Sequence, residues 1–176
     1  MIAMTQITMK QIKENGKIYL EDELNILYLT PSNPMTYHMN KWEYKKLPSI
    51  NQWYSDIEKQ RILHKNQHSS HLAFTFPENE LLHSTWLEAI YNEGFQLGLL
   101  ELYAIESDTL KQFDKNSHVD IEQVTSSNME DYLKIYNEFS KPYGEAFVKE
   151  SEVLTREAIL NQSDDVTRIV AYYLHK

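Results

Sequence analysis

Between Val119 and Val124 apolar and polar residues alternate with period 2, and from Thr167 to Leu174 the chain is β-branched and aromatic without Gly or Pro. Both runs predict strands. Between them Met129, Tyr132, Leu133, Tyr136 and Phe139 recur at helical spacing behind Ser127, an N-cap residue with Glu130 at the capping-box position. Pro142 and Gly144 end that helix. A second one, from about Ala146 to Asn161, carries Leu154, Ala158 and Ile159 inward before Gln162-Ser163-Asp164-Asp165 turns the chain. The last third therefore predicts strand, helix, helix, strand.

The first part has a different rhythm. Lys17 to Leu29 and Met35 to Lys46 are extended, aromatic-rich runs separated by the turn residues Pro31-Ser32-Asn33-Pro34, which predicts a hairpin or adjacent strands. Ser49 caps a helix with Gln52 at the capping-box position, and Ile50, Trp53, Tyr54 and Ile57 form its stripe as far as about His64. A polar loop leads to a short strand, His71 to Phe76, which Pro77 stops. Leu82, Trp86, Leu87, Ile90 and Tyr91 then mark a helix over Leu81 to Glu93, with Gly94 placed for a left-handed C-cap. Gly98 to Glu106 predicts another strand, so that strand, helix and strand would form a right-handed parallel crossover. Ser107 to Ser117 has the polar composition of a linker. The expected fold class is α/β (α+β), with one domain over 1–110 and a second over 118–176.

The runs Val119 to Val124, Ser127 to Phe139, Ser140 to Glu145 and Val166 to Leu174 together resemble, in order and spacing, the opening of the GNAT (GCN5-related N-acetyltransferase) fold. The resemblance implies a mixed sheet, acetyl-CoA as cofactor, and transfer of the acetyl group to a small-molecule or peptide amine acceptor. It also implies that the chain holds only the N-terminal part of such a domain; the crossover of Leu72 to Ile105 resembles the central strand, helix and strand of that fold, which would make the first part, 1–110, a degenerate half of it, with an unrelated small α/β domain as the alternative. In that family a glycine-rich loop cradles the cofactor pyrophosphate. The four glycines here, Gly16, Gly94, Gly98 and Gly144, form no such loop, so no cofactor-binding or catalytic residue carries over and this chain alone is not expected to bind acetyl-CoA. The connection between the two helices does carry over, as a lid on the acceptor pocket, and makes Tyr143, Glu145 and Phe147 candidates for binding a cationic amine; a plain helix break with a packing Tyr is the simpler reading of the same residues.

Composition narrows the classes. A formal net charge of -9, from 17 Lys+Arg against 26 Asp+Glu, excludes the cationic footprint of a nucleic-acid or anionic-membrane partner. The absence of Cys excludes disulfides and thiolate chemistry, and with no secretory leader pattern at Met1 to Gln6 the expected location is the cytoplasm. His64, His68 and His71 have the spacing of a helical ligand cluster, but Ser69-Ser70 breaks the helix there, so no metal is expected. No serine sits in a glycine-flanked nucleophile elbow. Against the acetyltransferase expectation stands a second class, a non-catalytic binding or assembly module. In either case Tyr172 and its strand should lie beside Val119 to Val124 with an edge left bare, and bare edges recruit partners, either a second copy in a homo-oligomer or added strands from further chain.

Overall fold

Strand and helix signals can be placed on the computed structural model, which describes residues 8–12, 14–114, 118–161 and 167–173. The chain divides into two units, Met1–Ala104 and Ile105–Lys176.

In the first unit the run Lys17 to Leu29 folds back on itself. β1 (Ile18–Glu21) and β2 (Asn25–Tyr28) pair antiparallel around Asp22, whose Oδ1 accepts from the backbone N–H of Leu24 at 2.7 Å and of Asn25 at 2.9 Å. That carboxylate takes the place of a glycine in making the turn, and the two backbone bonds hold it below the usual carboxylate range. β3 (Trp42–Tyr44) pairs antiparallel with β2, Asn25 opposite Tyr44, and β4 (Phe74–Thr75) lies parallel to β3. The order is β1-β2-β3-β4. α1 (Ile50–Asn66) begins where Ser49 Oγ accepts from Gln52 N, as the capping signal predicts, but runs past His64. Its buried face, Trp53 and Ile57, meets Leu27, Leu29, Trp42 and Tyr44 of the sheet and Trp86, Ala89 and Ile90 of α2 (Ser84–Asn92). Trp53 is the hub, with ring centroids 5.5 Å from both Trp86 and Phe95.

α2 ends as its glycine predicts. Gly94 has φ +77°, its N–H bonds to Tyr91 O, and Phe95 N–H reaches back to Ile90 O. This paired closure puts the apolar Phe95 against the core. Beyond it the prediction fails. Gly98 to Glu106 forms no strand, and no parallel crossover over Leu72 to Ile105 is present. β4 has only two residues, too short a ladder to hold a further strand by hydrogen bonding, so an apolar run that reads as extended finds no partner.

The second unit has the predicted order. β5 (Val119–Gln123) leads to α4 (Met129–Ser140), a 3-10 turn over Lys141–Tyr143, α5 (Glu145–Leu160) and β6 (Ile169–Tyr173). β5 and β6 pair antiparallel with Asp120 opposite Tyr172, the expected neighbours. Val124, Ile159 and Val170 form the core with Met129, Tyr132 and Tyr172 packed on it. Asn128 stands at the cap position in place of Ser127 and braces the preceding turn, accepting from Thr125 N and donating to Gln123 O. A single helical turn, α3 (Ser107–Leu110), occupies part of the expected linker. The predicted turn Gln162-Ser163-Asp164-Asp165 lies outside the described residues. The protein is thus mixed α and β, and no described helix is long and apolar enough to cross a membrane.

Candidate functional site

β1 is an edge strand, and the register shifts between Ile18 and Leu20, a bulge at Tyr19. Ile18, Tyr19 and Leu20 are all exposed. Beside this edge lies a groove of about 500 Å³ with Ile18, Tyr19, Leu29 and Leu63 as its apolar lining and Lys17 and Gln67 among its polar residues. Two elements make its walls, the start of the sheet and the last turn of α1. Exposed apolar side chains beside a strand edge that no other described strand occupies are the ingredients for binding an extended peptide by strand addition.

The wall is held by Asn40, which is fully buried. Its Oδ1 accepts from Thr30 N at 2.7 Å and from Gln67 Nε2 at 2.8 Å, and its Nδ2 donates to Asn33 O at 2.7 Å and Thr36 O at 2.9 Å. One amide with all four capacities used thus ties the Pro31 to Pro34 loop to the end of α1. Gln67 also donates to Ser69 Oγ, which in turn donates to Pro34 O.

On the other side of the same helix end is a second cleft, of about 340 Å³, lined by His64, His71, Arg61, Lys65, Ser69 and Ser70 among others. His64 and His71, expected to be solvated loop residues, are 1% and 8% exposed. Burial holds both imidazoles below their ordinary pKa, His71 to about 4 with the neighbouring His64 adding to the effect. Tyr37 stacks on His71 with ring centroids 4.0 Å apart. His68, the third of the spaced histidines, is exposed and takes the left-handed conformation (φ 64°) that reverses the chain. Among the described residues no three His, Cys, Asp or Glu side chains are grouped to hold a metal ion.

The acceptor-site candidates lie in the second unit. Tyr143 and Glu145 are exposed and Phe147 is half-buried, with the Tyr143 and Phe147 rings 5.1 Å apart. None of the three lines either cleft of the first unit. Sequence reasoning had no means of finding the Asn40 network, because single buried amides leave no periodic signal; the density of Asn, Ser and Thr around Pro31 to Pro34 was its only trace.

With this geometry in place, comparison with other proteins places the chain. A family model described as a domain of unknown function (DUF5613) matches residues 7–103. The chain belongs to this family. The DUF5613 match takes in the whole four-stranded sheet, α1, α2 and both clefts. A conserved protein of unknown function from Staphylococcus epidermidis, known from a crystal structure, is 41% identical with a TM-score of 0.86, over 97% of this chain and 67% of that one. No curated protein matches. These findings overturn the resemblance to GNAT enzymes. The family that matches is DUF5613, its structural relative has no known function, and two strands joined by two helices are an arrangement without chemistry of its own when the glycine loop is missing. The expected acetyl-CoA cofactor rested on that resemblance alone.

Proposed function

We propose that the protein is a non-catalytic assembly module whose first unit self-associates, the segment Leu97 to Ala104 of one copy adding to the β1 edge of a second copy and the reverse. The observation that carries this reading is a pair of unmet surfaces within one unit. Leu97, Leu99, Leu100, Leu102 and Tyr103 are all exposed, with Leu99 at 82% and Tyr103 at 81%, and the segment belongs to no strand or helix. The β1 groove carries an apolar lining and lies at an edge that no other described strand pairs. Charge agrees as well. Glu101 is the one charged residue between Phe95 and Ala104, and Lys17 is the one charged residue lining the groove. Eight extended residues span about 26 Å, ample to cover a four-residue strand of about 13 Å. Reciprocal exchange closes with two-fold symmetry, so association stops at the dimer.

The affinity is modest. If three side chains per segment enter the groove at about 1.5 kcal/mol each, the pair of segments contributes about 9 kcal/mol. An association cost of about 4 kcal/mol, the low end of its range, leaves about 5 kcal/mol, a dissociation constant on the order of 0.1 mM. Sedimentation equilibrium across that range should show a monomer–dimer equilibrium. Leu99→Lys with Tyr103→Lys should abolish it, and a synthetic peptide of Leu97 to Ala104 should bind the monomer and shift the amide resonances of Lys17 to Leu20. A protein that stays monomeric at millimolar concentration and ignores the peptide refutes the reading. Peptide binding that shifts resonances around Phe74 and Thr75 instead would move the docking edge to β4.

A further inference from the structure

Among the described residues β5 and β6 make up the whole of their sheet, and neither outer edge is paired by a further strand. A two-stranded ribbon is marginal by itself, and the core beneath this one is built on Val124, Ile159 and Val170. Its two edges differ. Val124 N donates to Arg168 O at 2.8 Å, and the register sets Glu122 opposite Val170 and Asp120 opposite Tyr172. Bonded pairs alternate with unbonded ones in an antiparallel ladder, so the N–H and C=O groups of Val119, Ile121 and Gln123 point out of one edge and those of Ile169, Ala171 and Tyr173 out of the other. The β5 edge is blunted: Asn128 Nδ2 donates to Gln123 O at 3.1 Å, and Asp120 and Glu122 stand along the strand. β6 has none of the devices that keep an edge from pairing. Its sequence, Ile169-Val170-Ala171-Tyr172-Tyr173, holds no charge and no proline, and its register runs without a bulge. Val170 faces the core, so Ile169 and Ala171 lie on the opposite face with Ile121. There Ile121 is 61% and Ile169 57% exposed.

We propose that the β6 edge takes up a strand from a polypeptide of the kind that forms the unmatched part of the Staphylococcus epidermidis protein. This chain accounts for 67% of that one, so about a third of the relative is chain without a counterpart here. At 41% identity and a TM-score of 0.86 the matched parts share one fold, and the open β6 edge is where additional chain finds backbone groups to meet. The incoming segment pairs with Ile169, Ala171 and Tyr173 and lays apolar side chains beside Ile169 and Ala171. No residue of the first unit enters this contact, so it stands or falls apart from the exchange at β1.

The test adds the unmatched third of the relative, expressed as a separate polypeptide, to this chain at about 10 μM, well below the dissociation constant on the order of 0.1 mM of the exchange dimer. Hydrogen exchange read by mass spectrometry should slow roughly tenfold or more over Arg168–Tyr173 and stay unchanged over Ile18–Glu21. Ala171→Pro removes one outward N–H at a place where an edge strand tolerates proline, and should abolish the slowing. Should that variant fail to fold, Ile169→Lys, which charges the exposed face, should do the same. Where the separate polypeptide does not fold, the relative's crystal structure decides: the outer edge of the strand that matches β6 should carry a strand of the unmatched third. Unchanged exchange with a folded polypeptide, or a matching strand that is bare or otherwise covered, overturns the proposal. Slowing that grows with the concentration of this chain alone gives the edge to a second copy, and slowing centred on Val119–Gln123 moves the contact to β5; each overturns it as well.

Discussion

Replacing Asn40 by Ala should be among the most damaging single changes in the first unit. The side chain is fully buried and makes four hydrogen bonds, to Thr30 N, Gln67 Nε2, Asn33 O and Thr36 O. Truncation takes one bond from each of the four partners, and they do not suffer equally, because Thr36 O still accepts from Met39 N, Asn33 O from Thr36 N, and Gln67 Nε2 still donates to Ser69 Oγ. Thr30 N is in a buried bond and loses its partner without access to water, at about 2 kcal/mol, while Thr36 O, Gln67 Nε2 and Asn33 O each keep a second bond and lose about 0.5–1 kcal/mol. The expected loss is about 3–5 kcal/mol, a large share of the roughly 5–15 kcal/mol that holds a domain together. Urea unfolding followed by tryptophan fluorescence is the suitable assay, because Trp42, Trp53 and Trp86, the only tryptophans, all lie in the core of this unit. The midpoint should fall sharply with the slope unchanged. A loss below about 1 kcal/mol would mean that water substitutes for the amide, and the account of Asn40 as the brace of the groove wall would be wrong.

Two further outcomes follow from the electrostatics. Tyr44→Phe removes the bond from its buried hydroxyl to Asp56 Oδ2 at 3.0 Å; with Gln52 and Lys59 still on the carboxylate, the same assay should register about 2 kcal/mol, and a neutral result would show the bond to be dispensable. In the second unit Arg156 bonds both Glu130 and Glu152 and holds their carboxyls below the usual range. Because those pKa values are depressed on folding, the stabilisation is present above the ordinary Glu value of about 4.3 and is lost as pH falls through the folded values. Arg156→Gln should raise both carboxyl pKa values in a ¹³C NMR titration, and unshifted titrations would break the assignment of cause.

What could be read from the sequence was local, and what could not was a matter of partners. Ser49 before Ile50, Trp53 and Ile57 announces a capped amphipathic helix because the cap and the stripe lie within two turns of each other. Gly94 announces a C-cap for the same reason. The pairing of β5 with β6 follows from adjacency. Leu97 to Tyr103 has the apolar content of a short buried strand, yet pairing depends on a neighbour, and the neighbour is the two-residue β4. Lys17 to Leu29 read as one run because its turn is made by Asp22 without Gly or Pro. The histidine pair was hidden by the reversal between α1 and β4: a non-glycine residue, His68, takes the left-handed conformation, and nothing in its identity announces that His64 and His71 meet.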